Sequence, residues 1–192
     1  MFFVDGAEKV LSENYKDALT AAAAHFIEQF DITHEVDVYV SKRSVVQKIS
    51  AQARAWHMPP AYDAENSVVC VYVDPESDIK KNIISLAHEM IHVWQVERGD
   101  FRSQLWKGMD LSHLPYQFQP WEIEAWGSMD EVADGFFKGR FCSKSDLKTI
   151  MDKTDEVFDQ IVKEATSQKN KESLKKIGKV AAAVGLGALL GF

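Results

Sequence analysis

Cysteine is scarce in this chain: there are two among 192 residues, Cys70 and Cys142, too far apart for a CxxC pair and too few for a disulfide framework. A reduced, cytoplasmic setting is the default expectation. Basic residues are outnumbered, 22 Lys and Arg against 29 Asp and Glu, for a formal net charge of -7. That balance argues against general nucleic-acid binding, leaving room only for a local basic patch. The N-terminus, Met1-Phe2-Phe3-Val4-Asp5, lacks the positive region, apolar stretch and cleavage site of a signal peptide. The uncharged stretch from Val180 to Phe192, rich in Ala, Gly and Leu, is shorter than the roughly 20 apolar residues of a membrane-crossing helix.

That stretch follows Lys175, Lys176 and Lys179, which suit an anionic surface. Residues 174–192 are therefore expected to offer at most a weak contact with a membrane or a protein, peripheral in kind. A flexible tail, or one packed back on the domain, is the alternative. With 46% hydrophobic residues, the remainder has the size and composition of one domain with a sizeable core. The expected organisation is a domain over residues 1–167, then a charged linker and apolar tail over 168–192.

Residues 88 to 92 read His88-Glu89-Met90-Ile91-His92, an HExxH. Residues four apart on a helix stand one above the other, so both imidazoles can reach one metal ion. Glu89 is then placed to take a proton from an attacking water. Asp74-Pro75-Glu76-Ser77 resembles a helix start and Gly99 a stop, predicting a helix from Pro75 to Arg98. On a wheel, Ile83, Leu86, Ala87, Met90, Val93 and Trp94 form an apolar back, with His88 and His92 on the other side near Lys81, Ser85 and Gln95. The expected ligand face is open, as in a cleft. Two solvated histidines on a polar face would give the same wheel.

A catalytic zinc site usually takes three protein ligands. Thirty residues beyond His92, Gln119-Pro120-Trp121-Glu122-Ile123-Glu124-Ala125-Trp126 opens another helix, with the proline at its start. Glu122 and Glu124 point in nearly opposite directions there. Glu122 falls among Trp126, Met129, Ala133, Phe136 and Phe137, whereas Glu124 falls with Gly127, Ser128, Glu131 and Lys138, the expected solvent side. A carboxylate in an apolar stripe is costly unless something positive neutralises it, and a metal ion would do so. The helix dipole, or a Lys or Arg, is the alternative.

The pair His88-Glu89-Met90-Ile91-His92 and Glu122-Ile123-Glu124-Ala125 resembles the zincin metallopeptidases of the glutamate-ligand group, over roughly residues 68 to 137. The resemblance implies an α+β, zincin-like fold and a zinc-dependent peptidase. Its Zn2+ ligands would be His88, His92 and Glu122, its general base Glu89, and its substrate a peptide or protein. Small HExxH proteins of this kind occur in bacteria and phages. Trp126 departs from the pattern, standing where many such proteins carry the residue that orients a ligand histidine. Asp130 or a backbone carbonyl is the expected replacement. In such peptidases a nearby Tyr or His commonly stabilises the developing oxyanion, which makes Tyr116 and His113 candidates.

Two rival classes stand beside this reading. One is a zinc-binding module without catalysis; the other is a non-enzymatic structural or membrane-associated protein that uses its apolar tail.

Ser67 to Val73, rich in β-branched residues, and the alternating Val36 to Val40 read as strands of a small sheet packed on the metal helix. An edge strand of that sheet would hold an extended peptide. Further helices are expected at Ala7 to Phe30, Ser44 to Trp56 and Ser145 to Ser167, with a loop at Met109 to Gln119. His25, His34 and His57 lack metal-ligand spacing.

Overall fold

The computed structural model describes residues 2–4, 13–42, 55–58, 66–73, 78–102, 105–111 and 114–167. In chain order the elements are β1 (Phe2–Val4), α1 (Glu13–Gln29), β2 (Glu35–Lys42), β3 (Ala55–Met58), β4 (Asn66–Val73), α2 (Ile79–Glu97), β5 (Phe101–Arg102) and β6 (Leu105–Trp106). A 3-10 turn at Tyr116–Phe118 then leads into α3 (Pro120–Phe137) and α4 (Lys144–Ser167).

Strands β1 to β4 form one mixed sheet in the order β1-β2-β4-β3. β1 and β4 run parallel to β2, the β2–β4 register extending from Glu35 opposite Asn66 to Lys42 opposite Val73. β3 closes one side and is antiparallel to β4, with Trp56 opposite Cys70. The β-branched run of β4 thus occupies an interior position, paired with β2 on one side and β3 on the other. In β2, Val36 and Val38 are both buried, as a period of two requires.

Helix α1 presents Leu19, Ala22, Ala23 and Phe26 to the core, all buried, at the i, i+3, i+4, i+7 spacing of a single helical face. They meet Ile83, Leu86, Ala87, Met90 and Val93 of α2, and Ala125, Met129, Val132 and Ala133 of α3, in one cluster. α2 is the hub of that cluster, packing against α1, α3, β3 and β4. Its expected apolar back is buried, but so are Asn82, Ile91 and Gln95.

Helix α2 starts later than the sequence suggests. Its N-cap is Asp78, with φ -58° and ψ 128°, whose carboxylate accepts from Lys80 N at 3.1 Å. The expected start at Asp74 and Pro75 lies outside the described residues. The end is a Schellman arrangement: Gly99 N donates to Val96 O (2.9 Å) and Asp100 N to Gln95 O (3.0 Å). Gly99 adopts φ 77°, a conformation that glycine takes without the penalty a Cβ brings. The turn redirects the chain so that Asp100 comes back beside Arg98.

Three further expectations are met by the described residues only in part. Of the proposed Ser44 to Trp56 helix, residues 44–54 lie outside the described set, and Ala55 and Trp56 belong to β3, held by long-range pairing that local sequence does not reveal. Ala7 to Ser12 of the first helix also lie outside it. The 109–119 loop contains the 3-10 turn, and Phe118 packs there with Ile123 and Val157. Beside it Trp106, Leu111 and Phe158 form another small cluster, so α4 closes over both the turn and the β5–β6 hairpin. The segment 168–192 lies outside the described residues. Among the described residues no helix is long and apolar enough to cross a membrane.

Candidate metal centre

The HExxH lies in the middle of α2, and Glu122 enters from the first turn of α3. Pro120 holds the first helical position of α3, where its missing N–H costs no helical hydrogen bond. The packing of α3 on α2 then brings the three side chains together. His88 Nε2 and His92 Nε2 are 3.2 Å apart. Glu122 straddles them, Oε2 lying 3.5 Å from His88 Nε2 and Oε1 3.4 Å from His92 Nε2. Glu89 Oε1 stands 4.0 Å from His88 Nε2. Among the described residues, His88, His92 and Glu122 are the group whose donor atoms converge closely enough to hold a metal ion.

The donor set fits zinc. Tetrahedral zinc with Zn–N and Zn–O bonds of about 2.0–2.1 Å spaces its ligand atoms roughly 3.3 Å apart; the two imidazole nitrogens stand at 3.2 Å, and one donor atom from each of the three residues lies within 4.8 Å of the others. Glu122 Oε2 is buried and has no hydrogen-bond partner, so its charge is balanced only by the proton on the histidine pair, a place that a metal ion held by all three residues would take.

The site is not open. His88 and Glu89 are each 5% exposed and Glu122 4%, because α3 lies over the face that the wheel left to solvent. Burial by itself would push the His92 imidazole down, but the Glu122 carboxylate beside it raises it to about 9, helped by Glu89 and Gln95. His88 moves the other way. Burial lowers it and His92 adds to that, against the pull of Glu122. The two shifts describe one proton shared by a pair, since two imidazolium rings 3.2 Å apart repel. Burial opposes ionisation of Glu122, yet the two histidines hold its carboxyl well below the usual carboxylate range.

Tyr116 comes to the same place from the 3-10 turn. The residue is 57% exposed, and partial burial followed by the Glu122 and Glu89 charges holds the phenol well above its usual value. It therefore stays a hydrogen-bond donor at any ordinary pH. His113, the other oxyanion candidate, lies outside the described residues.

Glu124 corrects the sequence reading. It is 2% exposed rather than solvent-facing, and Arg98 Nη2 donates to its Oε1 at 2.6 Å. Ser128, placed on the same solvent side, is fully buried. A single-face wheel fails here because α3 is covered by α2 on one flank and by α4 on another. Phe137, assigned to the apolar stripe, is instead exposed, being the last residue of the helix.

The expected partner Asp130 does not reach either histidine of the site. Asp130 is exposed, while His92 Nδ1 lies 2.9 Å from Gln95 Oε1. Trp126 packs on the His88 ring, with centroids 4.5 Å apart. The sequence places Gln95 near the histidines without assigning it a role and does not single out Arg98, although both continue the stripe that starts at His88 and His92 with steps of three. The other histidines are elsewhere. His25 packs among Phe26, Phe136 and Phe141, His34 pairs with Glu97, and His57 lies in β3.

Comparison with protein-family models, curated proteins and solved structures gives no match for this chain.

Proposed function

We propose that the chain is a zinc-dependent metallopeptidase of zincin-like architecture. The observation that carries this reading is the convergence of His88 Nε2, His92 Nε2 and the Glu122 carboxylate at 3.2–3.5 Å, with the Glu89 carboxylate beside them. His88, His92 and Glu122 would hold Zn2+. When bound, zinc supplies a Lewis acid for the scissile carbonyl and makes water a stronger acid.

Glu89 takes the proton of the attacking water and returns it to the leaving amine. Tyr116, kept protonated by partial burial and by its acidic neighbours, donates a hydrogen bond to the oxygen that gains charge. β3 ends the described sheet and packs on α2, which makes it the strand to which an extended peptide substrate would add.

One observation favours a second reading, a zinc-binding module without catalysis: His88, Glu89 and Glu122 are nearly inaccessible. Incubating the zinc-loaded full chain with a peptide library, read by mass spectrometry, decides between them. Cleavage that disappears in Glu89→Gln supports the peptidase. Stoichiometric zinc with no cleavage of any library member supports the module, and absence of zinc binding overturns both.

A further inference from the structure

Gln95 is 1% exposed and uses both ends of its amide. Its Nε2 donates to the backbone oxygen of Trp121 at 2.9 Å, and its Oε1 faces His92 Nδ1 at 2.9 Å. A carbonyl oxygen can only accept, so the bond to Trp121 fixes which end of the amide is the nitrogen. The other end is then an oxygen, which can only accept from His92. Nδ1 must therefore carry a hydrogen, and in the neutral imidazole the lone pair falls to Nε2. Nε2 is the atom that faces His88 and Glu122.

We infer that Gln95 is the positioning residue of this site, fixing His92 in the tautomer and ring orientation that present Nε2 to a metal. The inference rests on the zinc reading above. Trp121 immediately precedes Glu122, so this one side chain ties His92 on α2 to the start of the helix that delivers the third ligand. His88 has no counterpart. Its Nδ1 is buried without a hydrogen-bond partner, and its ring is held by packing on Trp126. The two histidines are thus restrained by different means, and the tautomer is dictated only at His92. Gln95 so replaces the orienting residue that the position of Trp126 cannot supply.

The test compares the full-length wild type with Gln95→Leu and Gln95→Glu, measuring Zn2+ affinity by competition with a chromophoric chelator. Both variants lose the donor to Trp121, and only Gln95→Glu keeps an oxygen for His92 Nδ1. A positioning role predicts that Gln95→Leu binds zinc about 10–100-fold more weakly, with Gln95→Glu restored to within a few-fold of wild type. Equal weakening in both variants, or none in either, overturns the inference while leaving the zinc site standing. A wild type that takes up no zinc overturns the zinc reading itself. Should Gln95→Leu fail to fold, long-range proton–nitrogen spectra of the zinc-loaded wild type read the same point. A proton on His92 Nδ1 with the metal on Nε2 supports the role, and the reverse overturns it.

Discussion

The Arg98 guanidinium, at the C-cap of α2, lies 2.6 Å from the Glu124 carboxylate and 3.9 Å from the face of the Trp94 ring. Its partner Glu124 and the candidate ligand Glu122 are two residues apart and both buried, but they face different counter-charges. One meets a fixed cation, and the other meets two imidazoles that share at most one proton. Glu122→Ala is expected to lose stoichiometric zinc, while Glu124→Ala retains it. Metal analysis of the purified variants is the check, and the opposite pattern would reverse the assignment.

Removing the cation from the neighbouring pair should be costly. Arg98→Ala leaves Glu124 buried without its counter-charge, which destabilises by about 3–5 kcal/mol. Arg98→Ala with Glu124→Leu should recover much of that loss, because both charges leave together. Denaturant unfolding of the two single variants and the double variant measures the coupling. Strict additivity would show that the contact contributes nothing.

Glu89→Gln keeps the shape of the side chain and removes its basicity. Peptide hydrolysis should fall by roughly 10²–10⁴-fold, with zinc content unchanged, since Glu89 is not among the three converging donors. Turnover and metal stoichiometry measured on the same preparation distinguish this from loss of the site. Undiminished turnover would remove Glu89 as the base.

The raised His92 imidazole has a sign that can be tested. A group whose folded value is about 9 against an ordinary 6.5 adds stability below pH 6.5 and loses it as pH rises through 9. The metal-free protein should therefore lose this contribution between those limits. Zinc binding requires the neutral ring, so the stabilisation added by zinc should grow over the same window. Glu122, shifted downward, keeps its contribution throughout and loses it only in strong acid. Melting curves with chelator and with zinc from pH 6 to 9.5 test this, using metal-free Glu122→Gln as the reference. An equal slope in that variant would assign the pH dependence to other groups.

Parts of this arrangement were legible in the chain because they depend on short-range geometry. The four-residue spacing of His88 and His92 requires only a helix, and Pro120 marked where the next helix begins. Glu124 was misjudged because a helical wheel assumes one buried face, whereas α3 has neighbours on two. The N-cap was misplaced because Asp74-Pro75 carries the same signals as the true cap, Asp78, four residues on. β3 was illegible because its partner is β4 and nothing within Ala55–Met58 announces the pairing. Gln95 was visible as a residue near the histidines, but its contacts depend on the backbone of a distant helix.

His88, His92, Gln95 and Arg98 follow one line along α2, and their partners Trp121, Glu122 and Glu124 lie at the start of α3. The two helices therefore meet along a polar seam running through an otherwise apolar cluster. Buried polar groups fix the register of packed helices more sharply than apolar contacts alone. Along this seam a slide of one turn would part Arg98 from Glu124 and His92 from Glu122 together, leaving charges buried without partners. The seam thus acts as a key for helix alignment: the observed docking of α3 on α2 sets Arg98 against Glu124 and His92 against Glu122 at once.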